Sequence, residues 1–316
     1  MGSYAGLVIP VLTPAEMAAV DAAAPEPVEE LIERAGAAVA RAALHMLGGG
    51  YGRRVVVLAG KGNNGADGRS AARRLARRGV RTHVVDVLDA PARLPEADLV
   101  IDAAFGTGFR GEWDAPAIAD VPVLAVDIPS GVSGLTGEAP GRVLAADGTV
   151  TFAALKPGLV LEPGRSLAGT VAVADIGLDV SGATAHMVEA SDVAAALPAR
   201  APSAHKWASP VMVVAGSPGM TGAAHLAAAA AQRAGAGMVR LPTPGLAGDP
   251  NRPTHAVGLR LPDDGWAEAV SRELHRFRAL VVGPGLGTSM ATQGGVRLLL
   301  GSAPVATVVD GDALTA

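Results

Sequence analysis

The segment 55–69 constrains the fold of this chain more than any other stretch. Apolar, mostly β-branched residues at 55–59 enter a loop with four glycines, two asparagines and an aspartate, and helix-forming residues follow at 70–76. This order predicts a strand, a loop and a helix, in which backbone N–H groups can approach phosphate oxygens. Residues 60–65 fit the G-x-G-x-x-G pattern, which alone is weak evidence for a dinucleotide. Asn63, Asn64 and Asp67 add side-chain oxygens that a plain pyrophosphate loop does not require.

Composition narrows the class of protein. The 316 residues suffice for two domains. The absence of cysteine excludes disulfides, thiolate nucleophiles and Cys-ligated metals, and a net charge of −4 argues against nucleic acid as a partner. No apolar run approaches the roughly 20 residues of a membrane span, and the N-terminus lacks a signal-peptide pattern. We therefore expect a cytoplasmic protein with no membrane partner.

The order of apolar segments predicts a mainly parallel α/β fold. A capping box at Thr13 and helical spacing over 28–42 predict two helices before the first strand. Strands are predicted at 54–59, 81–87, 98–103 and 121–127, with intervening segments covering both faces of the sheet. Three of these strands lead into polar, glycine-rich loops, so the loops should share one edge of the sheet, where such folds bind ligands.

The rest of the chain predicts a second, smaller domain. Two more strands, at 147–155 and 170–176, complete the first pattern, and an Ala-, Ser- and Pro-rich stretch follows. Strands at 210–215, 279–282 and 305–310 begin a new α/β pattern. The predicted domains are thus 1–182 and 203–316, joined by a linker at 183–202.

Acidic and amide side chains follow the predicted strands of the first domain. Asn64, Asp67, Asp102 and Asp127 all fall at strand ends, and Ser130 comes three residues later. Oxygen-only ligands of this kind suit a hard cation, and their modest charge leaves potassium as plausible as magnesium. A strand-end aspartate alone is more often a turn residue that binds backbone amides. Four such residues at one edge favour a site.

Two further features bear on chemistry. Only three lysines occur in a chain that otherwise uses arginine: Lys61, Lys156 and Lys206. Their loop-like contexts favour specific roles over ordinary surface positions. A second glycine loop, at 105–112, carries Thr107 and Arg110 as candidates for phosphate contact. The histidines have no zinc-ligand spacing, and no nucleophile elbow is found.

Six ordered motifs make a family resemblance specific. They are LIERAG at 31–36, GKGNNGADG at 60–68, DAAFGTG at 102–108, DIPSG at 127–131 with Thr136-Gly137, Thr151-Phe152 with Lys156 and Gly158, and DIGL at 175–178. With these, residues 10–180 resemble the NAD(P)H-hydrate epimerase domain, also called the YjeF N-terminal domain. The resemblance implies a Rossmann-like three-layer fold.

The second half resembles the start of the ADP-dependent NAD(P)H-hydrate dehydratase domain, a ribokinase-like fold. Its markers are His205-Lys206, AGS at 215–217, MTGAA at 220–224, RAGAGMV at 233–239, GPGLG at 283–287 and DGDAL at 310–314. The family's phosphate loop and Gly-Asp pair do not follow within this sequence. We therefore expect the dehydratase half to be inactive as it stands, or active only as part of a longer protein.

The resemblance also implies an activity and its site residues. The R and S forms of hydrated NADH or NADPH would be interconverted at C6 (an isomerase), and the second half, if complete, would be a lyase that uses ADP (or ATP) with Mg²⁺. A small-molecule substrate is implied, and a homo-oligomer is left open. Potassium would be held by Asn64, Asp102 and Ser130. Substrate contacts are implied for Asn63, Asn64, Gly65, Ala66, Asp67, Gly106, Thr107, Gly108, Phe109, Arg110, Gly111, Glu112 and Asp127, and for Ala223 and Gly287 in the second half.

The catalytic roles are open at this stage. Asp127 is the candidate acid/base, with orientation of the ring as the alternative role. Lys156 would contact phosphate or tune Asp127. Ala66 replaces a family glycine, which is tolerable unless that position needs a positive φ.

Two rival functions remain. An NAD-dependent oxidoreductase would need an acidic residue after the second strand for the ribose, and Asp86 or Asp89 could serve. A non-catalytic nucleotide- or protein-binding module is the other rival.

Overall fold

The structure, a computed structural model, describes residues 9–197, 199–262 and 265–316. The chain divides into two compact units, one up to Leu197 and one from Pro198 onward. This division lies inside the segment 183–202 that sequence analysis assigns to a linker. Residues 185–187 of that segment form a strand paired with residues 9–11, and a helix spans residues 190–196. The part of the predicted linker before Pro198 therefore belongs to the first unit.

The first unit alternates strands and helices. In chain order its elements are β1 (Ile9–Val11), α1 (Pro14–Ala23), α2 (Val28–Leu47), β2 (Arg54–Ala59), α3 (Asn63–Ala76), β3 (Arg81–Asp86), β4 (Leu99–Ala103), β5 (Val123–Val126), β6 (Gly148–Phe152), α4 (Gly164–Leu167), β7 (Thr170–Ala174), β8 (Ala185–Met187) and α5 (Ala190–Ala196). The capping box predicted for α1 is confirmed, because Thr13 accepts from the N–H of Glu16 while the Glu16 carboxylate accepts from the N–H of Thr13.

The predicted parallel sheet is confirmed. Six strands lie in the order β3-β2-β4-β5-β6-β7, and every neighbouring pair is parallel. After β3 the chain crosses back over β2 and adds all later strands on the other side. The loops that follow β2 and β4 therefore leave the sheet side by side, and a crevice opens between them.

The two faces of this sheet are covered differently. Val55 and Val57 of β2 pack in a core with α2 and α3, whereas Val56 and Leu58 face the opposite side. That second core is closed by apolar residues from irregular segments, including Leu94, Ala115 and Leu144. The alternation follows from the period of two along a strand. Both faces are covered as predicted, but helices cover only one of them around β2.

Helix α3 begins earlier than sequence analysis indicates. Residues 60–69 read as a loop because glycine and asparagine disfavour helices. In the structure only residues 60–62 connect β2 to α3, and Gly62 caps the helix. A Cβ on Gly65 would overlap the carbonyl oxygen of Gly60, and one on Gly68 would lie 2.5 Å from the Cβ of Ala103. Close packing of the helix on the sheet, and not loop flexibility, accounts for these glycines.

The second unit is a separate parallel α/β fold. Its elements are β9 (Pro210–Val214), α6 (Gly222–Arg233), β10 (Met238–Pro242), β11 (Ala256–Leu259), α7 (Trp266–Leu274), β12 (Ala279–Val282), α8 (Met290–Ser302) and β13 (Ala306–Val309). The five strands lie in the order β11-β10-β9-β12-β13. Helix α6 packs in one core, and α7 and α8 pack in the other. Within the described ranges, no helix is both long and apolar enough to cross a membrane.

The contact between α2 and α3 leads to a stability prediction. A Cβ on Gly36 of α2 would overlap the hydroxyl of the fully buried Ser70 and lie 3.0 Å from the backbone nitrogen of Ala71. Gly36→Ala should therefore lower the free energy of unfolding of the first unit by roughly 1–3 kcal/mol, despite the better helix propensity of alanine.

Gly294→Ala in α8 is the matched control, because no atom lies within 4 Å of the added Cβ. It should raise stability by up to about 1 kcal/mol. Denaturant unfolding of both variants checks the prediction, and effects of the same sign would contradict it.

Candidate active site

A cavity of about 810 Å³ opens at the carboxyl edge of the first sheet. It lies where the loops after β2 and β4 diverge, and it extends to the ends of β5 and β6. Ten of the predicted site residues line it: Asn63, Asn64, Asp67, Gly106, Thr107, Gly108, Phe109, Arg110, Asp127 and Lys156.

The other predicted residues of the first unit lie outside the cavity lining. Asp102 and Ser130 are fully buried behind Ala104 and Phe105, whose N–H groups bind their side chains. Gly65 and Ala66 lie on α3. Gly111 and Glu112 are exposed beyond the lining segment.

The start of α3 is held against β2 by specific contacts. Arg69 donates to the carbonyl oxygen of Gly60 at 2.5 Å and to the carboxylate of Asp86 at 3.1 Å. Ala66 donates its N–H to the carbonyl of Gly62. Among described non-glycine residues, only Asp127 and Ala153 have a positive φ. The alanine at position 66 is therefore unstrained, and the departure from the family glycine costs no backbone energy.

Asp127 and Lys156 form a buried ion pair. The ammonium of Lys156 lies 2.6 Å from Asp127 Oδ1, 2.8 Å from Thr151 Oγ1 and 3.0 Å from the carbonyl of Phe152. Lys156 is only 2 % exposed, so these three acceptors replace the water that its three N–H donors would otherwise bind. The hydroxyl of Thr151 also donates to Asp127 Oδ1 at 3.0 Å.

The backbone directs Asp127 into the cavity at some conformational cost. Its φ is +66°, a region in which aspartate and asparagine are tolerated better than most residues. The N–H of Asp127 donates to the carbonyl of Val150 on β6 at 2.7 Å, which fixes the turn. The strained conformation places the carboxylate between Lys156 and the open cavity.

A second cluster of polar groups, centred on the Asp102 carboxylate, lies beside the cavity. Its carboxylate accepts from Ser130 Oγ at 2.6 Å, from the Ser130 N–H at 2.8 Å and from the Ala104 N–H at 3.3 Å. Burial raises the pKa of Asp102, and the hydrogen bonds from Ser130 and Ala104 oppose that rise. A buried carboxylate in this setting would be stabilised by a bound cation.

Asn64 supplies an unsatisfied amide at the same edge. Both side-chain polar atoms of Asn64 are buried without a hydrogen-bond partner in the described structure. A Cβ on Gly106 would lie 3.6 Å from Asn64 Oδ1, so the Asn64 amide borders the loop that follows β4. An unpartnered buried oxygen is costly unless something binds it.

These donors fit a monovalent hard cation. The side chains of Asn64, Asp102 and Ser130 offer oxygen ligands, and the three together carry one formal negative charge, that of the Asp102 carboxylate. In the described ranges, no group of three or more His, Cys, Asp or Glu side chains could hold a metal. The donor set thus has the chemistry of a hard-cation site and not of a zinc site.

Asp67 differs from Asp127 in its surroundings. It lines the cavity and is 6 % exposed. Burial, followed by the charges of Asp127 and Asp21, raises the pKa of Asp67 from its ordinary value of 3.8 to about 8. Near pH 7 the structure therefore holds a neutral carboxyl group and an ion-paired carboxylate in one cavity.

One wall of the cavity, formed by helices α1 and α2, was not predicted from the sequence. Met17, Ala18 and Asp21 of α1 line it, together with apolar residues of α2 such as Leu31 and Ile32. Burial raises the pKa of Asp21, the charge of Lys156 lowers it, and the charge of Asp127 raises it. The spacing of Met17 and Asp21, four residues apart on one helix face, was the available signal.

Aromatic side chains form one side of the mouth. The rings of Phe105 and Phe109 lie 4.4 Å apart at 30°, and Phe105 meets Trp113 edge-on at 5.3 Å. Phe105 and Phe109 both line the cavity. This surface can contact a flat heterocycle.

The acidic residues suggested for an oxidoreductase do not reach the cavity. Asp86 binds Arg69 and the N–H of Leu88. Neither Asp86 nor Asp89 is among the residues that line the cavity. A ribose anchor of the usual dehydrogenase type is therefore not formed by them in this unit.

In the second unit, Ala223 and Gly287 reach the same edge of its sheet. They follow the adjacent strands β9 and β12, between which the strand order reverses. The two loops are joined by a hydrogen bond from Ser217 to the carbonyl of Gly285 at 2.9 Å. The N–H of Gly287 donates to Asp312 at 2.7 Å.

Family models match both units. Residues 28–94 and 85–158 match the model described as YjeF-related protein N-terminus, and residues 211–316 match the model described as NAD(P)H-hydrate dehydratase. The first match contains the three predicted cation ligands and the Asp127–Lys156 ion pair, but it does not include α1.

Relatives from several organisms are named bifunctional NAD(P)H-hydrate repair enzyme Nnr. The protein from Moorella thermoacetica is 37% identical over 97% of this chain and 69% of its own length. The Salinibacter ruber protein is 33% identical over 97% of this chain and 70% of its own length. The Hyperthermus butylicus protein is 35% identical over 89% of this chain and 61% of its own length.

The burial of Asp67 predicts a pH-dependent stability. Its pKa is raised on folding, to about 8 from 3.8, so the folded state retains a proton that the unfolded chain loses between these values. This contribution to stability is complete below pH 3.8 and is lost as the pH rises through 8.

Asp67→Asn should therefore gain stability over the wild type as the pH rises from about 4 to about 8. Denaturant unfolding across that range measures the difference. A difference that does not change with pH would contradict the assignment of a neutral Asp67.

Proposed function

The chain belongs to the family of bifunctional NAD(P)H-hydrate repair enzymes, and on that premise we propose that its first unit is an NAD(P)H-hydrate epimerase. The substrates are the R and S forms of NADHX and NADPHX, in which water has added to the nicotinamide ring at C6. The observation that carries the proposal is the cavity at the strand-order reversal. It combines the start of α3, the aromatic loop after β4 and the Asp127–Lys156 pair.

The cavity offers complementary surfaces to the parts of a dinucleotide. The start of α3 presents unpaired N–H groups suited to phosphate, and Lys61 and Arg110 add positive charge among the lining residues. Phe105 and Phe109 offer flat apolar surface for a ring. Asn63, Asn64, Gly65, Ala66 and Asp67, with residues 106–112, are the proposed substrate-binding segments.

Asp127 is the proposed acid/base next to the hydrated ring. Loss of the C6 hydroxyl is assisted by the lone pair of the ring nitrogen, and water then adds to the opposite face. Lys156 fixes the direction of the Asp127 carboxylate, because Lys156 Nζ is itself held by three acceptors, one of which is Asp127 Oδ1. The contact with Asp127 favours the tuning role of Lys156 over direct phosphate contact.

Potassium is the proposed cofactor of this unit. Asn64, Asp102 and Ser130 would hold it, and the unpartnered amide of Asn64 and the buried carboxylate of Asp102 support that set. The ion would supply positive charge near the substrate's polar groups.

The second unit is proposed to contribute to the ADP-dependent dehydration of S-NAD(P)HX to NAD(P)H. Ala223 and Gly287 are its proposed substrate contacts. ADP (or ATP) and Mg²⁺ would serve this reaction in a complete dehydratase.

An epimerase assay tests the proposal. Purified R-NADPHX is supplied with the chain and an independent S-specific dehydratase with ADP, and product is followed as the returning absorbance of NADPH. We expect acceleration over spontaneous epimerisation in potassium, and a loss of most of that acceleration in sodium. A folded chain that gives no acceleration would favour a binding module.

Asp127→Asn tests the catalytic assignment. Asparagine tolerates the positive φ of this position, so the backbone should be preserved. Removal of an acid/base typically costs 10²–10⁴-fold in rate, and we expect a kcat loss of about that size.

The matched control is Asp120→Asn, at an exposed loop position away from the cavity. It should leave kcat and KM unchanged. Full turnover by the Asp127→Asn variant would refute the acid/base role.

A further inference from the structure

Exchange of a hydroxyl group between two faces of a ring requires two proton transfers. One group must protonate the oxygen that leaves C6, and a group on the other face must accept a proton from the water that adds. If the first unit is an epimerase, as proposed, its cavity must provide both groups. Asp127 is one of them, and a second side chain must provide the other.

Asp127 is suited to only one of these tasks in its resting state. Its Oδ1 accepts from both Lys156 and Thr151, and the ion pair with Lys156 requires the carboxylate form. A carboxylate accepts a proton but has none to donate. The departing hydroxyl therefore needs a different acid.

Asp67 has the surroundings that Asp127 lacks. It is 6 % exposed and lines the same cavity from the first turns of α3. Within residues 9–197, no side chain pairs with its carboxyl group in an ion pair, and no hydrogen bond to that group is found. A buried carboxyl group without a cationic partner favours its neutral form, which is the form that can donate.

We propose that Asp67 is the proton donor to the C6 oxygen and that Asp127 is the proton acceptor for the incoming water. The two carboxyl groups thus form an acid/base pair across the bound ring.

In the proposed reaction, one water molecule leaves C6 and another adds to it. The C6–O bond breaks as the lone pair of the ring nitrogen forms a C=N bond, and Asp67 transfers its proton to the leaving oxygen, which departs as water. A second water forms the new C6–O bond on the opposite face and gives one proton to Asp127. The product is the other epimer. Asp127 then releases its proton to solvent and Asp67 takes one up from solvent, which restores the resting state of the pair. The reverse reaction starts from the other protonation state of the pair: the proton is on Asp127, which gives it to the leaving oxygen, and the Asp67 carboxylate accepts the proton of the incoming water.

Several charged groups around the cavity contribute to the electrostatic environment of Asp67 and Asp127. Asp21 faces them from α1, Lys156 follows β6, and Lys61 and Arg110 belong to the loops after β2 and β4. The α2 residues that line the cavity are apolar, including Leu31 and Ile32. The charge of Asp21 is among the causes that raise the pKa of Asp67 to about 8. Asp21 is thus a positioning residue that acts on Asp67 through its charge.

Two variants test the pair. In Asp67→Asn, kcat should fall about 10²-fold or more while KM changes little, because an amide retains polarity but cannot donate an acidic proton. The wild-type kcat should decline above about pH 8 as Asp67 ionises, and this alkaline limb should be absent from the residual rate of the variant.

Asp21→Asn provides the second readout. Removing its negative charge should move the alkaline limb of the kcat profile to lower pH, which a purely structural role of α1 would not do. Asp120→Asn serves again as the control and should retain the wild-type profile.

The outcomes separate the inference from the proposed function. If the wild type epimerises and Asp67→Asn keeps kcat within about twofold, or only raises KM, Asp67 is not the donor. If the wild type does not accelerate epimerisation at all, the proposed function fails and the donor assignment fails with it.

Discussion

The buried contact between Lys156 and Asp127 organises the first unit's site. It joins the end of β5 to the segment after β6, and it compensates two charges that would be costly to bury alone. The carbonyl of Phe152 and the hydroxyl of Thr151 complete the coordination of the ammonium. The positive φ of Asp127 persists because these contacts determine the position of its carboxylate.

The other two carboxyl groups at this sheet edge, those of Asp102 and Asp67, have contrasting surroundings. Asp102 lies among N–H and O–H donors, whereas Asp67 faces the cavity without such partners. The same residue type therefore serves three purposes within one sheet edge: ion pair, cation ligand and neutral acid, the last two as proposed roles. Environment, and not sequence, distinguishes them.

Much of the first fold could be predicted, because strands and loops are local patterns. The strand at Arg54–Ala59 and the order of loops at one edge follow from apolar runs and glycine positions. The start of α3 could not be predicted, since Gly65 and Gly68 are explained only by packing against Gly60 and Ala103. Asp21 was also missed, because its place in the cavity depends on contacts with residues distant in sequence. Lys156 attracted attention by its rarity, but its partner emerged only from the fold.

The pairing of β1 with β8 has a consequence for the order of folding. Ile9 aligns with Met187, so the strand that precedes α1 is completed by one of the last strands of the unit. On a ribosome, β1 would emerge early, could hydrogen-bond to Leu155 once that residue had emerged, and would gain β8 as its partner only when nearly the whole unit had been synthesised. Until then, the edge of β1 that pairs with β8 would be unpaired in the nascent chain.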